Sequence, residues 1–335
     1  MNYGSKLDVA KKKWKKFIKI VVTIVCIITV GLIFLSLLVP IGSWKYYVSL
    51  PDVSKRKKGE LRIHFLDVGQ GDSTLMELPD GKILLLDGGN GTSTTSKTIL
   101  RYLNALKIDT IDYLVVSHAD SDHCGGLDVV VENKKIKKAY IPPTYPTVNT
   151  QYAELYSALA EEGCEIVPSS MKERFEVSDS EYGYTLAFLY PYSKDVEEED
   201  WSSEETNDVS CVMWLDYGGV SALFTGDASS AVETELMRGD ALGAFSTLGV
   251  ELGDTEILKV SHHGSRDATS LKFLQYLNVQ TAMISCGKNN PYGHPSKDTL
   301  NNLQAVNASV FRTDEQGHLT VTIKDGGYTV KPYKK

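Results

Sequence analysis

Five apolar stretches of this chain run straight into residues that bind metals or carry protons. KILLLD ends on Asp87, and DYLVVSHADSDH delivers His118, Asp120, Asp122 and His123. VSALFTGD ends on Asp227, EILKVSHHGS carries His262 and His263, and VQTAMIS leads to His294 of NNPYGHPS. Short apolar runs bounded by turn signals read as buried strands. One aspartate at a strand end is ordinarily a turn or a cap. Five such ends in one chain demand a fold whose neighbouring strands open onto a shared cleft, because only a common sheet edge gathers side chains so distant in sequence.

The segments between these stretches predict mixed connections. DSTLMEL and KILLLD flank Pro79-Asp80-Gly81 and read as a hairpin. VSCVMWL and VSALFTGD are joined by Asp216-Tyr217-Gly218-Gly219, and a closing hairpin passes through Asp325-Gly326-Gly327. Elsewhere apolar residues recur at helical spacing: Ile99, Leu103 and Leu106, then Tyr152, Leu155, Tyr156 and Leu159 before Gly163. Further helices are expected near residues 270–277 and 296–303. Hairpins mixed with single βα units fit a doubly wound parallel sheet poorly. Two mixed sheets packed together, with helices outside, accommodate them. The acidic, unperiodic SKDVEEEDWSSEET reads as a solvated loop.

Charge divides the chain. Its 335 residues carry a net charge of −8, yet residues 1–59 hold 12 Lys/Arg against 2 Asp/Glu. The rest holds 23 against 41, a net of −18. Residues 20–41 contain no charge, and at ~1.5 Å per residue they reach across the ~30 Å hydrocarbon layer of a membrane. Seven lysines from Lys6 to Lys19 precede them, which predicts a cytoplasmic amino terminus and an acidic body outside. The run is longer than the core of a secretory signal and has no A-x-A site nearby, so it reads as an uncleaved anchor in the cell membrane. The expected division is a basic cytoplasmic segment (1–19), a transmembrane anchor (20–41), a juxtamembrane linker (42–59) and a folded domain (60–335). Cys124, Cys164, Cys211 and Cys286 form no C-x-x-C and read as small buried hydrophobes.

Imidazole and carboxylate ligands alternating in His118-x-Asp120-x-Asp122-His123 suit zinc, manganese or iron. His64 and His318 lack such company and read as structural. FLDVGQGDS, LLLDGG, SHADSDHCGG, FTGDA, SHHGS and YGHPS together resemble the metallo-β-lactamase superfamily. Within it they resemble the metallo-hydrolase domain of ComEC-type DNA-uptake competence proteins and the hydrolase domain of phosphorylcholine esterases. HADSDH is similar to the H-x-H-x-D-H signature, with aspartate at the second histidine. The resemblance covers about residues 61 to 330 and implies a four-layer αββα sandwich, an α/β (α+β) fold with two divalent metal ions at one edge. It assigns His118 and Asp120 to the first ion, Asp227 as the bridge, and Asp122, His123 and one histidine of the His262-His263 pair to the second, His263 being favoured because it stands two residues before Ser265. Asp87 would orient these ligands. The superfamily's third histidine for the first ion has no counterpart in TNDVSCVMWL, which leaves Asn207 or water in its place. Gln70 and Asp72 of the glycine loop, with Asn207 and Ser265, would line the substrate cleft.

Two adjacent cations lower the pKa of a bridging water and stabilise charge on phosphoryl oxygens. Asp122 or Asp227 would orient the resulting hydroxide, and His262 and His294 would donate hydrogen bonds to a nonbridging oxygen or the leaving group. G-x-S-x-G is missing, so a serine hydrolase is not indicated. The expectation is a membrane-anchored, metal-dependent phosphodiesterase, with DNA or a small phosphodiester as substrate. A net charge of −18 weighs against broad nucleic-acid binding, which rests on Lys and Arg. A phosphorylcholine-esterase-like activity, β-lactam hydrolysis and a non-catalytic binding protein that kept the fold are the alternatives.

Overall fold

The computed structural model describes residues 3–142, 144, 148–169, 175, 183–192 and 206–333. Most of the acidic segment, residues 193–205, lies outside them. The chain divides into two units, Met1–Ser49 and Leu50–Lys335. In the first, one helix runs Tyr3–Leu38. Its Lys11–Leu37 portion is long and apolar enough to cross a membrane by length and composition. The helix stops three residues short of the end of the uncharged run. Pro40 explains this, since it lacks an N–H and disfavours helical backbone in the residue before it.

The second unit is a sandwich of two sheets. The first sheet contains β1 (Leu61–Phe65), β2 (Thr74–Glu77), β3 (Ile83–Leu86), β4 (Thr110–Val115), β5 (Lys135–Ile141) and β6 (Glu165–Pro168). The second contains β7 (Tyr184–Tyr190), β8 (Val212–Tyr217), β9 (Val220–Phe224), β10 (Ile257–Lys259), β11 (Thr281–Ile284) and β12 (Ser309–Arg312). The chain then returns to the first sheet with β13 (Leu319–Lys324) and β14 (Gly327–Pro332). The strand orders are β14-β13-β1-β2-β3-β4-β5-β6 and β12-β11-β10-β9-β8-β7. Both sheets mix hairpins with parallel steps: β1–β2–β3 and β7–β8–β9 are antiparallel, whereas β3–β4–β5–β6 and β9–β10–β11–β12 are parallel. The parallel steps are crossed by the helices Ser93–Leu106, Leu127–Asn133, Thr150–Glu162, Ser230–Ala241, Leu271–Leu277 and Lys297–Ala305.

Alternation along the strands builds the layers. Met213, Leu215, Ala222, Phe224, Ile257 and Met283 join Leu61, Ile63, Phe65, Leu84 and Val115 between the sheets. Val212, Trp214, Leu223, Leu258, Ala282 and Ile284 face the other way, onto Val232, Leu236, Phe273, Leu277 and Leu303. At ~25 cal/mol per Å² of buried apolar surface, these two clusters are the main stabilising layers. β5 and β12 escape a sequence reading. KIKKAYI holds three lysines in seven residues, but Lys135 and Lys137 point outward while Ile136 and Ala139 are buried. The anticipated pairings at Pro79-Asp80-Gly81, Asp216–Gly219 and Asp325–Gly327 all form hairpins. The five cysteines are all free.

The parallel strands matter most for function. β3, β4, β9, β10 and β11 point their carboxyl ends at one edge, the usual place for a site in sheets of this kind.

Candidate metal centre

Each ligand-bearing loop leaves one of those carboxyl ends, and backbone hydrogen bonds stitch the loops together. The Asp72 N–H donates to the Asp122 carbonyl (3.0 Å), and the Gly88 N–H donates to the His123 carbonyl (2.6 Å). The Cys211 N–H reaches the Ser117 carbonyl (2.7 Å), and the His262 N–H reaches that of Gly226 (3.1 Å). Gly71 permits the first contact: its φ is +126°, and a Cβ there would lie 2.4 Å from the Asp122 carbonyl oxygen. Three non-glycine residues at the same edge, Asp87 (φ 61°), His262 (φ 48°) and His263 (φ 53°), also adopt positive φ. Such strained positions concentrate where geometry serves function.

His123 Nε2 lies 3.3 Å from His263 Nε2 and 3.1 Å from Asp227 Oδ1. His263 Nε2 is 3.2 Å from Asp122 Oδ2 and 3.5 Å from Asp227 Oδ2. These four side chains therefore aim four ligand atoms into one small space. Beside it, His118 Nε2 stands 3.8 Å from Asp120 Oδ2 and 3.9 Å from Asp227 Oδ2. Asp227 thus faces both histidine groups. His118 Nε2 and Asp227 Oδ1 are buried without a hydrogen-bond partner among the described residues. Buried polar atoms are seldom left unsatisfied. Imidazole nitrogens turned toward each other among carboxylates, with such atoms beside them, form a donor set that fits a divalent cation.

The rear nitrogens are held. Asp87 accepts from the Ser117 N–H (2.8 Å) and hydroxyl (2.7 Å), and from His123 Nδ1 (2.9 Å). His263 Nδ1 donates to the Ser285 carbonyl (3.0 Å). With Nδ1 committed on both rings, Nε2 is the atom left to ligate.

Asp72, His123, Asp227 and His263 form a buried group whose candidate ligand atoms all lie within 4.8 Å of one another. Asp72 nevertheless sits behind the imidazoles: it approaches His123 and His263 through Nδ1, at 4.0 and 3.6 Å. Its Oδ2 is engaged by the buried Lys259 ammonium at 2.6 Å. Asp122, on the Nε2 side, is better disposed as a ligand. Asp72, expected to line the cleft, is buried and its Oδ2 is paired with Lys259. Lys259 itself was not singled out in the sequence, although a lysine inside an apolar strand next to two histidines is a visible signal. Gln70 holds a loop, with its Oε1 accepting from the Gly287 N–H (3.1 Å). Ser265 is buried, and its hydroxyl accepts from the Asp267 N–H (3.3 Å). Asn207 lies in the turn Thr206–Val209, with Oδ1 unpartnered among the described residues. That turn precedes Ser210, whose hydroxyl accepts from the Asp227 N–H (3.2 Å). His262 Nε2 is 3.7 Å from Asp227 Oδ2, and the His294 ring lies 5.5 Å from that of His262. His64 is remote from this group, bonded to Tyr102 (2.9 Å) and Glu77 (3.0 Å), and His318 accepts from the Asp67 N–H (2.8 Å).

Charge compensation shapes the protonation states. Burial favours a neutral His263, but Asp227 and Asp72 outweigh it and hold the pKa up at about 10. Burial likewise opposes charge on His123, yet Asp227 and Asp87 raise it well above the usual histidine value. Burial, aided by His123, drives His118 down to about 4. Against its burial, Asp122 is lowered to about 2 by His263 and His123. Asp227 lies well below the ordinary carboxylate value, because His123 and His263 overcome its burial. Burial and the neighbouring His262 lower His294.

Residues 66–288, more than half of the chain, match the family model described as "Metallo-beta-lactamase superfamily". Among curated proteins, the chain is 30% identical to ComE operon protein 3 of Bacillus subtilis, over 82% of this chain and 34% of that protein. It is 29% identical to Competence protein ComA of Neisseria gonorrhoeae, over 81% of this chain and 33% of that protein. The chain spans about a third of the length of these relatives. A solved structure titled as a new diphosphatase from the PhnP family is 13% identical, with a TM-score of 0.42, covering 82% of this chain and 100% of that one. Zn(2+)-bound PqqB from Methylobacterium extorquens is 11% identical, with a TM-score of 0.41, covering 75% and 87%.

Proposed function

Because the chain belongs to the metallo-beta-lactamase superfamily, we propose that it is a membrane-anchored phosphodiesterase that uses two divalent ions, zinc or manganese. The observation that carries this reading is the convergence of His123, His263, Asp122 and Asp227 on one space, with His118 and Asp120 alongside. Asp122, His123 and His263 would hold one ion, His118 and Asp120 the other, with Asp227 between them. Bound there, the ions would activate water and neutralise charge developing on a phosphoryl group. Asp87 and Ser285 keep the Nε2 atoms of His123 and His263 free to ligate. His262 and His294 flank the cluster and offer ring N–H donors to phosphoryl oxygens. The lowered pKa of His294 makes it a neutral donor at pH 7. A diester presents one charge to this acidic body, whereas a monoester presents nearly two. The oxygen-rich ligand set supports manganese as well as zinc. The competence relatives favour a nucleic-acid diester. The apolar helix and its preceding lysines support a body outside the cytoplasm, on a single-pass anchor.

The test is cleavage of bis(p-nitrophenyl) phosphate by the chelated chain after Mn²⁺ or Zn²⁺ is restored. Turnover should depend on metal and exceed that of p-nitrophenyl phosphate. A metal-loaded chain inert towards diesters but active on lactams or thioesters would defeat the proposal.

A further inference from the structure

Residues 52–60, which follow the apolar helix in sequence, are tied to the folded domain. The Asp52 N–H donates to the Tyr333 hydroxyl (3.2 Å), and the Tyr217 hydroxyl donates to the Gly59 carbonyl (3.0 Å). Arg56 Nη1 donates to the carbonyls of Glu60 (3.1 Å) and Pro79 (3.3 Å), and Arg62 Nη1 donates to that of Ser54. Held this way, the segment forms one wall of a cavity of about 280 Å³ against β13 and β14, inside the Leu50–Lys335 unit. Arg62 is the buried cation of that lining, 5% exposed. Glu77 stands 3.4 Å from its Nη1 but is also engaged by His64 Nε2 at 3.0 Å. A guanidinium carries five donors, and Nε and Nη2 have no hydrogen-bond partner among the described residues.

Lys55, Lys57 and Lys331 line the same cavity, exposed and without an ion pair among the described residues. Its carboxylates are Asp52 and Glu60, and Glu60 Oε2 accepts from the Lys57 N–H (2.9 Å). Four cations against two carboxylates reverse the charge of their surroundings, since residues 60–335 carry a net of −18. A guanidinium with open donors, ringed by ammonium groups, matches the oxygens of a phosphate. The volume lies below the ~300–1,000 Å³ of sites for drug-sized ligands and suits a compact headgroup. The chain's attachment chooses the source of that phosphate. Lys55 opens the run Lys55-Arg56-Lys57-Lys58, 14 residues after Ile41 ends the uncharged stretch. At ~3.5 Å per residue or less, the cavity stays within ~50 Å of a bilayer that holds the helix. So short a tether keeps lipid headgroups at high local concentration.

We infer that this cavity binds the phosphate headgroup of an anionic phospholipid, with Arg62, Lys55, Lys57 and Lys331 as its donors. The inference rests on the anchor reading of the apolar helix and is independent of the metal centre. The test uses the full-length chain in a nonionic detergent, titrated calorimetrically with dihexanoyl phosphatidylglycerol, dihexanoyl phosphatidylcholine and inorganic phosphate. Phosphatidylglycerol should bind about tenfold more tightly than either of the others, in the range that a few basic residues supply at an anionic surface. Joint replacement of the lysines (Lys55→Gln, Lys57→Gln, Lys331→Gln) should abolish that preference without moving Tm, because all three side chains are exposed. Arg62→Lys, which keeps the charge and loses the planar fork, should weaken phosphatidylglycerol binding several-fold. No preference in the wild type, or a preference that survives the triple replacement, overturns the inference. So does inorganic phosphate binding as tightly as the lipid, which would make this a free-anion site, or displacement of the lipid by a short oligonucleotide. Alkaline carbonate extraction of membranes tests the anchor separately. A chain released by carbonate that still prefers phosphatidylglycerol keeps the cavity in this role and refutes the anchor, whereas a retained chain without the preference does the reverse.

Discussion

Replacing Asp87 by Asn tests whether the cluster works because its rear hydrogen bonds choose the ligand atoms. Asn tolerates positive φ about as well as Asp, so the backbone at φ 61° is preserved and the change is electrostatic. Asp87 Oδ2 now accepts from the Ser117 hydroxyl at 2.7 Å and from His123 Nδ1 at 2.9 Å. An amide cannot accept at both of its atoms. With Oδ1 kept on the Ser117 N–H, the new NH₂ faces His123 and favours the tautomer protonated at Nε2. That proton would occupy the position 3.1 Å from Asp227 and 3.3 Å from His263 where a cation belongs. Loss of such a carboxylate–histidine contact ordinarily costs about 10–100-fold in metal affinity, which is about 1.4–2.7 kcal/mol. The metal-free chain should lose a further ~1.5–3 kcal/mol of stability from a buried hydrogen bond to a charged group. Competition with a fluorescent Zn²⁺ chelator measures the first effect, and thermal melting with chelator present measures the second. Asp87→Ala should be worse in melting, because positive φ strains alanine by ~1–2 kcal/mol. An Asp87→Asn chain that binds Zn²⁺ within twofold of the parent would refute the reasoning.

Metal binding should release protons. At pH 7 the metal-free chain holds protons on His123 and on His263, whose pKa is about 10, and both rings must be neutral to ligate. His118, at about 4, has none to lose. Affinity should therefore rise with pH above neutrality, and calorimetry in buffers of different ionisation enthalpy should report close to two protons displaced; none displaced would contradict the assignment of both rings. Gly71→Ala should lower stability by ~1–3 kcal/mol, because its Cβ meets the Asp122 carbonyl and its φ is unfavourable. Thermal melting and metal titration should both register it, and a fully stable, metal-binding variant would show that the loop has room to move. Protease added to intact cells should digest the body; protection until lysis would reverse the topology inferred from the seven leading lysines.

The sequence by itself determined which candidate ligands stand at strand ends and that one sheet edge must present them. Apolar runs, turn glycines and His/Asp alternation are local properties, so the hairpins, the βα units and the sandwich class are all legible in it. The helices expected near 270–277 and 296–303 form, and Ser270 and Ser296 each accept from an N–H in the first turn of the following helix. β5 was hidden because its lysines satisfy an exposed face while its pairing partners, β4 and β6, make it a strand. The division of labour among the polar residues was decided only by tertiary structure. As sequence, Asp72 and Asp122 are both carboxylates in loops that follow apolar strands. In the fold one meets the Nδ1 side of two imidazoles and a buried lysine, and the other meets Nε2 of His263. Which nitrogen of a ring faces which carboxylate depends on residues far apart in the chain, 140 positions for His123 and His263. No local pattern encodes that choice; the packing of two sheets at one edge does.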